Sequence, residues 1–190
     1  MPRAGLTAEA VVERAAELLE QRPDDELTLA AVAESLGVRT PSLYKHVDGL
    51  PGLRRGLTLR AKASLGAALA QATIGRSRAD AIRSLALAYR RWALEHPMQY
   101  PLTVPVAADD DEADRAASTA AVEVIYAVLA GYDLVGDDAV DATRFLRATV
   151  HGFVSLESAG SFKLERDLER SYAALVESVV TALETWRPAR

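Results

Sequence analysis

Near the end of this 190-residue chain, Leu168, Tyr172, Leu175, Val179, Leu183 and Trp186 follow one another at steps of four, three, four, four and three. That rhythm returns apolar groups to one face of an α-helix, whereas a half-buried strand needs a period of two. Other segments keep the same time: Val11, Ala15, Leu18, Leu19; Leu53, Leu57, Ala61, Leu65; Ile82, Leu85, Ala86, Tyr89, Trp92; Val124, Ile125, Val128, Leu129; and Phe145, Leu146, Thr149, Phe153, Leu156. The expected fold class is all-α. Composition agrees, since 49% of residues are hydrophobic and only 6% aromatic. Alanine, leucine and valine suit closely packed helices better than a β-sandwich.

The punctuation between these segments is local and chemical. Thr7 is placed to cap a first helix that ends near Arg22, before Pro23 and Asp24. Thr28 is placed to cap a short second helix with Val32, Ala33 and Leu36 inward, and Gly37 follows where a left-handed residue closes it. Thr40 and Pro41 restart a helix as cap and first position, with Leu43 and Val47 inward. Gly49, Leu50 and Pro51 open a fourth helix reaching about Ala72. A fifth spans Ala79 to Glu95, and the prolines between His96 and Pro105 break the pattern. The run Asp109 to Asp114 reads as a solvated loop or helix start. Further helices end at Gly131, run from Asp137 to about Gly160, and close the chain near Leu164 to Trp186. Residues 1–50 are expected to form one domain and residues 51–190 a second.

Charge is uneven along the chain although it nets to −5. Residues 1–38 hold three Lys/Arg against eight Asp/Glu, residues 39–91 eleven against two, and residues 92–190 eight against seventeen. A basic band between acidic flanks is the footprint of a local polyanion contact. No cysteine is present, which excludes disulfides, thiolate metal sites and thiol nucleophiles. His46, His96 and His151 lie far apart with no ligand spacing, so no metal site is expected. No phosphate loop or nucleophile elbow occurs, so no catalytic residue, cofactor or enzymatic activity is expected. Met1 to Gly5 lack a leader's apolar run and no stretch reaches membrane-spanning length. The chain is therefore read as soluble, cytoplasmic and free of membrane.

The segment Leu29 to Val47 has the spacing of a helix-turn-helix. Ala33 lets the next helix cross closely, Gly37 makes the turn, and Leu36, Val38 and Leu43 close a small core. The second helix would then expose Arg39, Thr40, Ser42, Tyr44, Lys45 and His46 to a major groove. A bundle corner can also turn on glycine. It has no reason to gather these hydrogen-bonding groups at the start of the basic band.

Thr28, Val32-Ala33, Leu36-Gly37-Val38, Leu43-Tyr44 and His46-Val47 resemble the N-terminal motif of the TetR (tetracycline-repressor-like) regulators. The resemblance covers about residues 7 to 60. It implies that Thr28, Tyr44 and His46 touch the phosphate backbone, while Arg39, Thr40, Ser42 and Lys45, with Pro41 among them, lie nearest the bases. Where the family usually has a lysine this chain has Leu50, and Arg54 and Arg55 one turn later stand as replacements. His151-Gly152-Phe153, followed by Leu156-Glu157, Gly160 and Phe162, resembles the family's Trp-His-Gly C-terminal class, with Val150 in place of the tryptophan. That likeness implies nine helices, the fifth to eighth enclosing a ligand and the last two pairing with a twin subunit.

The expected partners are double-stranded operator DNA, a small-molecule effector and a second copy of the chain. Tyr89, Trp92, Met98, Tyr100, Tyr126, Phe145 and His151 are the candidate ligand residues, and few charges point inward, so a mostly apolar effector is expected. Leu156, Leu168, Tyr172, Leu175, Val179 and Leu183 are the candidate dimer interface. The function read from these features is a ligand-released, dimeric regulator, with repression implied by the family, on a palindromic operator. The alternative is a helical binding or interaction protein that has lost operator recognition.

Overall fold

A computed structural model describes residues 6–23 and 25–187. The leader expectation at Met1–Gly5 and the Asp24 half of the first helix stop lie outside the described residues. Seven α-helices form: α1 (Ala8–Gln21), α2 (Leu29–Ser35), α3 (Gly49–Thr73), α4 (Arg78–Glu95), α5 (Glu112–Ala130), α6 (Gly136–Ser158) and α7 (Leu168–Glu184). Two 3-10 segments, Thr40–Lys45 and Tyr100–Thr103, bring the helical elements among the described residues to nine. Among the described residues there is no strand, and no helix is long and apolar enough to cross a membrane.

The chain divides into two compact units. The first holds the described residues up to Lys62 together with His96–Arg115, and the second holds Ala63–Glu95 and the described residues from Ala116 onward. Both α3 and α5 therefore contribute residues to each.

In the first unit the expected caps form. Thr7 Oγ1 accepts from the Ala10 N–H at 3.1 Å, and Thr28 Oγ1 from the Ala31 N–H at 3.2 Å. α2 ends in a Schellman turn: the Val38 N–H reaches the Ala33 carbonyl, the Gly37 N–H reaches that of Glu34, and Gly37 adopts φ +66. Thr40, by contrast, makes no capping bond. The Ser42 N–H it would accept from is already bound to the Arg39 carbonyl at 2.8 Å, so Arg39 is the entry residue of the 3-10 segment. Val11, Ala15, Val32, Ala33, Leu43, Leu53 and Leu57 form the core. Leu102 packs against that core, and Glu20 accepts from the backbone N–H groups of Met98 and Gln99 at 3.2 and 3.1 Å. These contacts draw the proline-broken segment into the first unit.

α1 and α3 meet at Gly56, where an added Cβ would stand 2.6 Å from Val12 Cγ2. Only glycine permits that approach.

In the second unit α6 buries Ala139, Ala142, Thr143, Leu146, Val150 and Val154. Of the stripe expected inward only Leu146 is buried, whereas Phe145, Thr149 and Phe153 are half-buried on the flank and Leu156 is exposed. α7 buries Tyr172, Val176, Val179, Val180 and Leu183. Three residues expected at a dimer interface, Tyr172, Val179 and Leu183, are thus core residues of one protomer. The apolar seam is real, but α4 and α6 cover it.

Candidate nucleic-acid interface

The reading segment is a six-residue 3-10 helix, tighter than the α-helix expected. Leu43 and Val47 anchor it in the core. Its opposite side carries Arg39, Pro41, Tyr44 and Lys45 exposed, with Thr40, Ser42 and His46 half-exposed. Tyr44 is the extreme case, an aromatic residue with 61% of its surface open. An uncovered tyrosine beside a lysine offers a hydroxyl and an ammonium to phosphate oxygens without displacing any protein contact. Thr28 is half-buried, and its hydroxyl already caps α2. It can still donate its own proton outward.

The next basic residues sit on the first turns of α3. Arg54 is exposed. Arg55 is engaged: its Nε and Nη2 donate to Asp111 Oδ2 and Oδ1 at 2.5 and 2.7 Å. One helical repeat on, Lys62 Nζ donates to Asp114 Oδ1 at 2.5 Å and to the Pro105 carbonyl at 2.8 Å. The acidic run is therefore not simply solvated, because Asp114 is buried and Asp111 is half-buried. The Arg55 guanidinium, helped by the Asp114 backbone N–H, holds the Asp111 carboxyl down at about 2. Sequence reasoning missed this ladder; the signal present was the seven-residue step from Arg55 to Lys62 facing a three-residue step from Asp111 to Asp114.

The candidate ligand residues are distributed over both units. Met98 and Tyr100 belong to the first, Tyr100 being buried. In the second, Trp92 Nε1 donates to Ser64 Oγ at 2.9 Å, and Phe145 packs at a tilt against Trp186 with centroids 5.9 Å apart. Tyr89 Oη lies 3.3 Å from His151 Nδ1, and His151 Nε2 lies 3.3 Å from Ser155 Oγ. Burial, with Arg147 adding to it, pushes the His151 imidazole below the ordinary histidine range. Tyr126, expected on an inner face, is exposed. Ile125, Val128 and Leu129 take the inward positions of α5 instead.

Several residues of the C-terminal resemblance receive concrete roles. Glu157 binds Arg90 through both carboxylate oxygens, Phe162 packs on Phe153 at 4.8 Å, and Gly160, with φ +61, closes α6 in a second Schellman turn.

A helix-turn-helix unit carrying an exposed polar reading segment, joined in one chain to an all-helical bundle, defines a DNA-binding transcriptional regulator. Residues 82–179 match the family described as "Tetracyclin repressor-like, C-terminal domain". The chain is 40% identical over 159 residues to an HTH-type transcriptional regulator of Mycobacterium tuberculosis, covering 83% of this chain and 72% of that one. It is 31% identical over 183 residues to an HTH-type transcriptional regulator of Bacillus subtilis, covering 96% and 95%. A TetR variant of Acinetobacter baumannii, solved in complex with minocycline, shares the fold with a TM-score of 0.71 at 22% identity, covering 97% of this chain and 100% of that one. The chain belongs to the TetR (tetracycline-repressor-like) family of regulators.

Proposed function

We propose that the protein is a repressor that binds a palindromic operator as a homodimer and is released by a small, mostly apolar effector. The observation that carries this reading is the anchored reading segment, with Leu43 buried behind it and Tyr44 and Lys45 uncovered in front. Thr28, Tyr44 and His46 are assigned to phosphates, and Arg39, Thr40, Ser42 and Lys45 to base edges, with Pro41 shaping the segment. Arg54 adds a phosphate contact on α3. The minocycline complex of the Acinetobacter neighbour supports a small organic effector. Tyr89 and His151 are its polar anchors in this reading, with Trp92, one turn from Tyr89 on α4, as the apolar group beside them.

Coupling needs a shared element, and α3 contributes residues to both units. An effector that prefers the state with displaced reading heads lowers DNA affinity, and by linkage DNA lowers effector affinity equally, on the order of 1–3 kcal/mol.

Dimerisation is assigned to an uncharged flank. On α7 it comprises Leu168, Ser171, Leu175, Ser178 and Ala182, with Trp186 just beyond the helix end; on α6, Phe145, Ala148, Thr149, Gly152 and Leu156. The Phe145–Trp186 contact sets the two strips side by side.

A mobility-shift titration with the chain's own upstream DNA, at two salt concentrations, tests the DNA reading. Sequence-specific retention that weakens with salt is expected. Absence of retention at low salt favours the second reading, a helical binding protein without operator recognition, to which Leu50 and the engaged Arg55 lend weight.

A further inference from the structure

The two rungs that join α3 to the start of α5 differ in one physical respect. Lys62 and Asp114 are 4% and 11% exposed, whereas Arg55 is 53% exposed and Asp111 15%. Opening the inner rung would strand a buried charge, which is costly. The outer rung, whose guanidinium is half in solvent, opens at a lower cost than the inner one, because water can take over the arginine's hydrogen bonds. Its geometry is the bidentate fork that arginine presents equally to a carboxylate or a phosphate. Arg55 also lies on the second turn of the helix that begins directly after the reading segment, next to exposed Arg54.

We propose that Asp111 occupies, in the DNA-free protein, the guanidinium fork of Arg55 that a DNA phosphate takes in the complex, so that the acidic segment is a built-in brake on DNA binding. The proposal rests on the DNA-binding reading of the first unit. A phosphate that captures Arg55 must displace Asp111, and the released carboxylate, with Asp109 and Asp110 exposed beside it, then opposes the polyanion. The inner rung holds α5 in place throughout, so the brake opens without unfolding. Asp111 also accepts the Asp114 N–H at 3.0 Å. Asparagine keeps that acceptor in its Oδ1, while it loses the charge and sets an NH2 group where Oδ2 accepts from Arg55 Nε.

The test compares wild type, Asp111→Asn, Arg55→Gln, the double variant and Asp109→Asn on a fluorescent mixed-sequence duplex and on the upstream DNA across a salt series. Circular dichroism melts check that each variant is folded. Asp111→Asn is expected to bind both duplexes tighter by about twofold to fivefold, the factor an exposed ion pair is worth. Its log K against log salt should also steepen by up to about 0.9, the increment of one phosphate contact. The double variant should gain clearly less over Arg55→Gln than Asp111→Asn gains over wild type, because only the latter also frees the guanidinium, and Asp109→Asn should gain less than Asp111→Asn. An unchanged or weakened Asp111→Asn overturns the brake. So does an equal gain in Asp109→Asn or in the Arg55→Gln background, since either marks a general charge effect. Failure of wild type to bind any duplex at low salt would instead remove the DNA reading itself, and the brake with it.

Discussion

Arg90 of α4 grips Glu157 of α6 through two parallel hydrogen bonds of 2.7 Å, with the guanidinium lying 4.9 Å over the ring of Tyr172 on α7. Tyr172 in turn donates its hydroxyl proton to the Ala86 carbonyl at 2.6 Å. Three helices are thereby tied at one point. Arg90 and Glu157 are 8% and 10% exposed, whereas Glu169, the other partner of Arg90, is 73% exposed. Removing Glu157 leaves the buried guanidinium with the exposed Glu169 alone, so Glu157→Ala should cost about 3 kcal/mol. Glu169→Ala should cost no more than about 1 kcal/mol. Urea unfolding of both variants checks the asymmetry, and equal losses would refute it.

At the reading segment the expected effects separate affinity from stability. Tyr44 and Lys45 are exposed and have no packing to lose. Tyr44→Phe should weaken operator binding by about 1 kcal/mol, the net worth of one hydrogen bond, and leave the melting temperature unchanged. Lys45→Ala should lower affinity and flatten the salt dependence if it meets a phosphate, or relax sequence preference if it meets a base. Fluorescence anisotropy on operator and scrambled duplexes reads both. Unchanged affinity in the two variants would end the assignment.

Gly56 gives a test of packing alone. Alanine would gain about 1 kcal/mol in helix propensity but would drive its Cβ into Val12 Cγ2, and overpacking of this kind costs about 1–3 kcal/mol. Because valine is stiff at χ1, the net effect expected of Gly56→Ala is destabilisation. Adding Val12→Ala should recover part of the loss. A double-mutant cycle with no coupling would mean that the helices part without strain.

What could be read from the sequence was what local chemistry decides. Thr7, Thr28 and Gly37 act within four residues of themselves, so their caps and turn were legible. The burial of Leu43, Leu53 and Leu57 followed from period alone. What covers a face is a different question, because period groups residues and names no partner. Tyr172, Val179 and Leu183 were therefore grouped correctly and given to a twin subunit, although their own protomer covers them. The pairing of Arg55 with Asp111 spans 56 positions, and Tyr126 faces outward because α5 needs only one stripe inward. The reading segment's residues were identifiable one by one, but its 3-10 form was not. The choice between α and 3-10 over six residues depends on what packs behind Leu43.

His151 supplies a pH signature. Its folded form binds a proton less readily than the unfolded chain, first because burial disfavours the imidazolium and second because Arg147 is nearby. The stability this gives is complete above the ordinary value near 6.5 and is lost as pH falls below it. The carboxylates held low, Asp111, Glu169 and Glu177, change protonation in more acidic solution and leave this window to histidine. Urea unfolding at about pH 7.5 and about pH 5.5 should show the loss for wild type and a smaller one for His151→Gln. An identical drop in both would exclude His151 as its source.

The uncharged flank of α6 and α7 carries the remaining prediction, that two protomers join there. On α7 the charged residues Glu169, Arg170, Glu177 and Glu184 fall away from the strip of Leu168, Leu175 and Ala182 on a helical projection. On α6 the strip includes Leu156, 48% exposed, and Gly152, at which an added Cβ meets nothing within 4 Å. Small residues beside exposed leucines let a second pair of helices approach closely, and a two-fold contact uses the same strip twice. One reading segment makes too few base contacts for tight specificity, so pairing also supplies the second half-site, about 34–36 Å from the first or a multiple of it. Leu156→Asp and Leu175→Asp should therefore yield folded monomers that fail to bind operator although the reading segment is intact. Val179→Glu should behave differently, unfolding the protomer, because Val179 is core. Sedimentation velocity with circular dichroism separates the two outcomes. A wild-type monomer at micromolar concentration that still binds operator one to one, or dimers that survive both leucine substitutions, would show that this flank is not the interface.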